Sequence, residues 1–125
     1  MRTIAGLLAV AVGLLTLADA GRADSQEGSR RWTRVVKKQS EVVYKIVFIG
    51  DSKDPNKKYA EFAVIGDGGT DIDIYVLDAD GKEVASDTSP SDLAHVRWVP
   101  TKTQEYTIKV CNLGNQDNTC LMGHN

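Results

Sequence analysis

Residues 66–87, GDGGTDIDIYVLDADGKEVASD, carry Asp67, Asp71, Asp73, Asp78, Asp80, Glu83 and Asp87 against one base, Lys82. Clustered carboxylates can ligate a hard cation, pass protons in hydrolysis, or cap turns and face water. Calcium gathers about six to eight oxygens from Asp, Glu and carbonyls. Asp67, Asp71 and Asp73, with loop carbonyls, are therefore a candidate calcium site. The competing reading has Asp67 and Asp71 capping turns through backbone N–H groups, with Asp73 as an exposed, solubilising charge. An EF-hand is excluded. With Gly81 at the sixth position, the first is Val76, which cannot ligate, and the flanks read as strands rather than helices.

Acid–base and nucleophilic chemistry find little support. The histidines are His95, read as mid-strand and pointing to solvent, and His124, next to the last residue and read as sitting on a mobile end. No G-x-S-x-G elbow, H-E-x-x-H motif or phosphate-cradling loop occurs. Carboxylate-pair hydrolysis needs two acids across a cleft. Asp71 and Asp73 are instead neighbours on one strand face. The chain reads as a non-enzyme.

Cys111 and Cys120 flank NLGNQDNT, nearly all turn-forming residues. Two strands joined by that loop would bring the sulfurs together. A Cys111–Cys120 disulfide is expected, stabilising by about 2.7 kcal/mol in the chain-entropy model. For binding, Tyr75, His95 and Arg97 are the candidate surface residues, with Trp32 a further exposed ring. No aromatic row marks a glycan platform.

The elements that must position these residues are strands. MRTIAGLLAVAVGLLTLADAG reads as a signal peptide: a basic start, an apolar run over residues 4–17, and the small residues of Ala18-Asp19-Ala20. Cleavage is placed after Ala20, alternatively after Ala23. The apolar run is short of the roughly 20 residues that span a bilayer, so no membrane span is expected after cleavage. The protein is then secreted or periplasmic. The formal net charge of −2 gives no indication of nucleic-acid binding. Residues 21–31 are small, polar and charged and read as a disordered lead-in. Residues 32–125 form one domain.

In that domain apolar residues alternate at period two. In EVVYKIVFIGD, Tyr44, Ile46 and Phe48 share one face, while Val43, Val47 and Ile49 suggest cover on the other. Ala60, Phe62 and Val64 point inward, as do Ile72, Ile74 and Val76. Ala94, Val96 and Trp98 form a further set, with Tyr106, Ile108 and Val110. A last short strand runs around Cys120 and Leu121. DADGK is a turn with Gly81 free to take positive φ. Short strands between Gly, Pro, Asn and Asp predict an all-β, antiparallel β-sandwich of jelly-roll type with about seven to eight strands.

The stretch GDGGTDIDIYVLDADGKEVASDTSPSD…VRWVPTKTQEYTIKVCNLGN resembles the bacterial pre-peptidase C-terminal (PPC) domain. The resemblance rests on Asp71, Asp73 and Tyr75, on Asp78 and Gly81, and on Asp87. It continues through Trp98 and Pro100 to Tyr106, Ile108, Val110, Asn112 and Gly114. It implies a non-catalytic jelly-roll module of the kind appended to secreted hydrolases. Related collagen-binding domains of clostridial collagenases bind calcium partly through an acidic segment before the sandwich; here that segment, SRRWTRVVKK, is basic. Gln104-Glu105 replaces the family's usual Gly-Thr. The partner implied is an extracellular protein or polysaccharide, or a separate secreted hydrolase. The alternative is a structural envelope or assembly protein with no small ligand. A small hydrolase ranks last.

Overall fold

The computed structural model describes Ser25 and residues 28–125. The signal peptide expected over residues 1–20 lies outside the described residues. Eight strands follow in order: β1 (Arg30–Val36), β2 (Ser40–Phe48), β3 (Ala60–Ile65), β4 (Ile72–Leu77), β5 (Glu83–Asp87), β6 (Leu93–Trp98), β7 (Gln104–Asn112) and β8 (Asn118–His124). They form two four-stranded sheets, β1-β8-β3-β6 and β2-β7-β4-β5, and every pairing is antiparallel. This is the jelly roll. Among the described residues no helix is long and apolar enough to cross a membrane.

Period-two patterning places the core. The inward rows Ile46/Phe48, Ala60/Phe62/Val64, Ile72/Ile74/Val76, Ala94/Val96/Trp98 and Tyr106/Ile108/Val110 are all buried. Phe48, Trp98 and Tyr106 pack edge-to-face, with ring centroids 5.2–6.1 Å apart, a favoured aromatic arrangement. The β4–β5 hairpin turns where expected. Gly81 has φ 82°, and the Asp78 carboxylate accepts from the Asp80 and Lys82 N–H groups, both at 2.9 Å.

Five expectations need correction. Strand structure begins at Arg30 rather than Trp32, with Arg30 and Arg31 paired to His124 and Gly123; charged residues are compatible with an edge strand. Ser25, within the expected lead-in, is buried and bridged to Phe48. The outer face of β2 is open, with Val43 exposed, because β2 is an edge strand and no described strand packs over that face. His124 is buried, because β8 runs between β1 and β3 and carries the end of the chain into the sheet; its ring stacks on Phe62.

The fifth correction is the disulfide. Cys111 and Cys120 are free thiols. β7 and β8 are not a hairpin; the loop between them passes from one sheet to the other. Cys111 lies on the outer face of the second sheet, half-buried beside Glu41. Cys120 points into the core from the first sheet. Burial pushes the Cys120 thiol up to about 12.

Every connection except β4–β5 crosses between the sheets, so the loops must be tied at the ends. One knot does this. Asp92 accepts from the Gly68 N–H at 2.6 Å, from Asn118 Nδ2 at 2.6 Å and from the Thr70 hydroxyl at 3.3 Å. Asn118 Oδ1 accepts from the Asp67 N–H at 2.8 Å, and its Nδ2 also reaches the Thr70 hydroxyl. Gly66 lies against the Asp92 carboxylate with no room for a Cβ. At the opposite end of the same loop, Asn112 donates to the carbonyls of Val36 at 3.0 Å and Gln116 at 2.8 Å, and accepts from the Gly114 N–H at 2.8 Å.

Two tests follow from this architecture. Alkylation of the denatured, unreduced protein should add two adducts, with the melting midpoint indifferent to reductant; a mass showing a closed disulfide would overturn the free-thiol state. Asn118→Ala removes a fully buried amide, the donor it gives Asp92 and the acceptor it gives the Asp67 N–H. It should cost about 3 kcal/mol and lower the midpoint by roughly 10 °C or more. A drop of about a degree would mean that the knot is replaced by water.

Candidate functional site

The acids of residues 66–87 divide among different tasks. On the outer face of the second sheet, β7 lies between β2 and β4, so Glu41, Cys111 and Asp73 line up across three strands. Asp73 is 4% exposed, against the expectation of a solvated charge, and it lies between Asp71, just before β4, and Tyr75, both of which interact with it. Asp71 and Asp73 lie against each other, and Oδ1 of each is buried without a hydrogen-bond partner. Burial first, and then the Asp71 charge, hold the Asp73 carboxyl above the ordinary range. Burial and Glu41 push the Cys111 thiol up to about 11, which leaves it a poor nucleophile.

Asp67 turns away from this pair. Its carboxylate accepts from the Thr119 N–H at 2.8 Å, fastening the β3–β4 loop to the start of β8. The expected calcium set Asp67, Asp71 and Asp73 is therefore divided between two places. Among the described residues no group of three or more His, Cys, Asp or Glu side chains could hold a metal. Asp71 and Asp73 lie on a sheet face rather than across a cleft, which is not the geometry of carboxylate-pair hydrolysis.

Asp87 closes one side of the sandwich. It sits opposite Ile74 in the register, an inward position on the edge strand β5. From there it accepts from the His95 N–H of the other sheet's edge strand, β6, at 2.9 Å. It also accepts from the Ser89 hydroxyl at 2.7 Å and the Ser89 N–H at 3.1 Å. Burial works against the charge, but the His95 and Ser89 donors outweigh it and hold Asp87 below the usual carboxylate range.

The expected binding residues do not share a surface. Tyr75 faces outward from the second sheet, whereas His95 and Arg97 face outward from the first. Local periodicity fixed their outward direction but could not tell which sheet carried them. His95 and Arg97 flank Glu61 at 3.7 and 3.5 Å, and the Arg97 guanidinium lies 3.8 Å from the centre of the Tyr59 ring. These contacts occupy the two side chains with one another's neighbours.

A concave site lies elsewhere, between the edge strands β1 and β2. A cleft of 390 Å³ is lined by Arg30, Trp32, Tyr44, Lys45, Ile46 and His124. Trp32 packs edge-on against Tyr44, Phe62 and His124, with ring centroids 5.2–5.9 Å apart. Its indole N–H donates to the Tyr44 hydroxyl at 3.1 Å. The register of β1 against β8 puts Arg30, Trp32, Arg34 and Val36 on the inner face, opposite His124, Met122, Cys120 and Asn118. Arg30 and Arg34 are nevertheless exposed. Charged side chains tolerate inward positions only because the sandwich is open along this side. The sequence held a signal for this: R-x-W-x-R at strand spacing, followed by Val36.

A jelly-roll sandwich closed along β5/β6 and open along β1/β2 is the architecture these contacts define. No family model matches the sequence, and no curated protein matches it. Among solved structures the chain is similar to PliG from Aeromonas hydrophila, a periplasmic lysozyme inhibitor of g-type lysozyme. The identity is 11% and the TM-score 0.52, over 76% of this chain and 83% of that one. At that identity the likeness is one of fold.

Asp73 and Asp87 should behave oppositely with pH. Asp73 has a raised folded pKa, so its cost to stability is present at neutral pH. That cost is relieved as pH falls through the raised value towards the unfolded value of about 3.9. Asp73→Asn should therefore raise the melting midpoint at pH 7 and lose that advantage near about pH 4. Asp87 has a depressed folded pKa, so its contribution is present above about pH 4 and is lost as pH falls through the folded value. Asp87→Ala should cost about 1–3 kcal/mol at pH 7. Melting curves across pH decide both, and a destabilising Asp73→Asn at pH 7 would refute the first.

Proposed function

We propose that this chain is an exported, non-catalytic PPC-like module that binds an extracellular protein through the cleft between β1 and β2. The observation that carries the reading is the cleft itself. It pairs a rigid Trp32–Tyr44 aromatic floor with Arg30 and Lys45 at its rim. Buried aromatic and arginine anchors are the usual energetic centres of protein interfaces. The Aeromonas protein, described as a lysozyme inhibitor, shows that a sandwich of similar fold can serve a protein partner. The PPC resemblance gains support from Asn112 and Gly114. The Asn112 side chain closes a turn on the Gly114 N–H, and Gly114 packs on Thr70 too closely for a larger residue.

A polysaccharide platform is less well supported, since one Trp–Tyr pair offers a single stacking position rather than a row. An envelope assembly role would call for a contiguous apolar face. Among the described residues the exposed Val35, Val43, Ile49, Val84, Val99 and Leu113 instead lie on three strands and three loops.

The test is binding of the mature protein to a panel of secreted hydrolases, g-type lysozyme first, with insoluble peptidoglycan and soluble glycans in parallel. Saturable binding to a protein is expected, weakened at least about tenfold by Trp32→Ala, a loss of roughly 1.4 kcal/mol. Binding to glycans alone, or protein binding indifferent to Trp32→Ala, would overturn the reading.

A further inference from the structure

Residues 30–45, which form β1, the following turn and most of β2, hold six bases (Arg30, Arg31, Arg34, Lys37, Lys38, Lys45) and one acid, Glu41, in a chain of net charge −2. Part of this excess borders the cleft. Arg30 and Arg34 rise from the inner face of β1 on either side of Trp32, and Lys45 lines the β2 side. Both strands are outermost in their sheets, so each turns a row of backbone N–H and C=O groups towards solvent. The edge of β2 accepts such pairing at one end already. Ser25 forms an antiparallel bridge with Phe48, and its hydroxyl donates to the Val47 carbonyl at 3.1 Å.

From this we infer that the occupant of the cleft is an acidic, extended polypeptide segment of the partner. Its carboxylates meet Arg34 and Lys45, and one aromatic or aliphatic side chain rests on Trp32 and Tyr44. Exposed strand edges favour a peptide over an anionic glycan, because only a peptide backbone matches their donors and acceptors in register. The inference rests on the protein-binding reading above for the nature of the partner and adds the chemistry of the segment recognised.

The probe is a fluorescein-labelled nonapeptide alternating Glu with Val around a central Phe. Its Gln-for-Glu and Lys-for-Glu counterparts, polygalacturonate and a DNA oligonucleotide are the comparisons. Anisotropy reports affinity, and the Trp32 indole N–H resonance, assigned with Trp32→Phe, reports location. The Glu peptide should bind and shift that resonance. Affinity should fall at least about tenfold for the Gln peptide and should weaken with salt as exposed charges are screened. The Arg34→Glu/Lys45→Glu variant, with an unchanged melting curve, should lose the interaction.

Equal binding of the Gln peptide, tighter binding of polygalacturonate or DNA at Trp32, or no binding of the Glu peptide would overturn the inference. Charged side chains on an edge strand also protect it from self-pairing. If Arg34→Ser/Lys45→Ser dimerises while peptide affinity is unchanged, protection is their only role and the inference fails. A hydrolase that binds without competition from the Glu peptide would sink this inference and leave the protein-binding function standing. Peptide binding with no hydrolase or other protein bound would do the reverse.

Discussion

The fold depends on a buried polar knot at one end of the sandwich, where Asp92 and Asn118 hold loops that arrive from different sheets. A jelly roll gains its core only after its chain has crossed between the sheets repeatedly. Each crossing leaves backbone N–H groups that no strand can pair. Left buried without partners, they would each cost about 1–3 kcal/mol. The side chains of Asp92, Asn118, Asp67 and Asn112 supply the missing acceptors and donors, so the crossings are fastened rather than merely tolerated. Gly66 and Gly114 sit where the knot leaves no space for a side chain.

The two long sides of the sandwich solve the edge problem differently. Along β5 and β6, Asp87 projects inward from one edge and captures the His95 N–H of the other, so the gap is bridged. Along β1 and β2 the inward positions carry Arg30, Trp32 and Arg34, and the gap stays open as an aromatic and basic cleft. An acid at one edge and bases at the other occupy equivalent inward positions. The first finds donors on the neighbouring sheet and becomes structural. The second set borders the cleft, and that difference is what makes the β1/β2 side the functional candidate.

The density of acids over residues 66–87 is thus mostly architectural. Asp78 closes a turn, Asp67 fastens a loop to β8, and Asp87 seals an edge. Asp73 is the exception. It is held buried beside Asp71 without a full set of partners and works against stability when ionised.

The sequence by itself determined the strands, their inward rows, the Gly81 turn and the sandwich class. These follow from period-two patterning and turn chemistry, which are properties of neighbouring residues. Only the tertiary structure decided which sheet each strand joined. That choice separated Cys111 from Cys120, put Tyr75 on the opposite face from His95 and Arg97, drew Asp67 away from Asp71 and Asp73, and buried His124. It also opened the cleft at Trp32. Strand order in a jelly roll is set by contacts between residues far apart in the chain, and a local pattern reports which way a side chain points without reporting what stands opposite it.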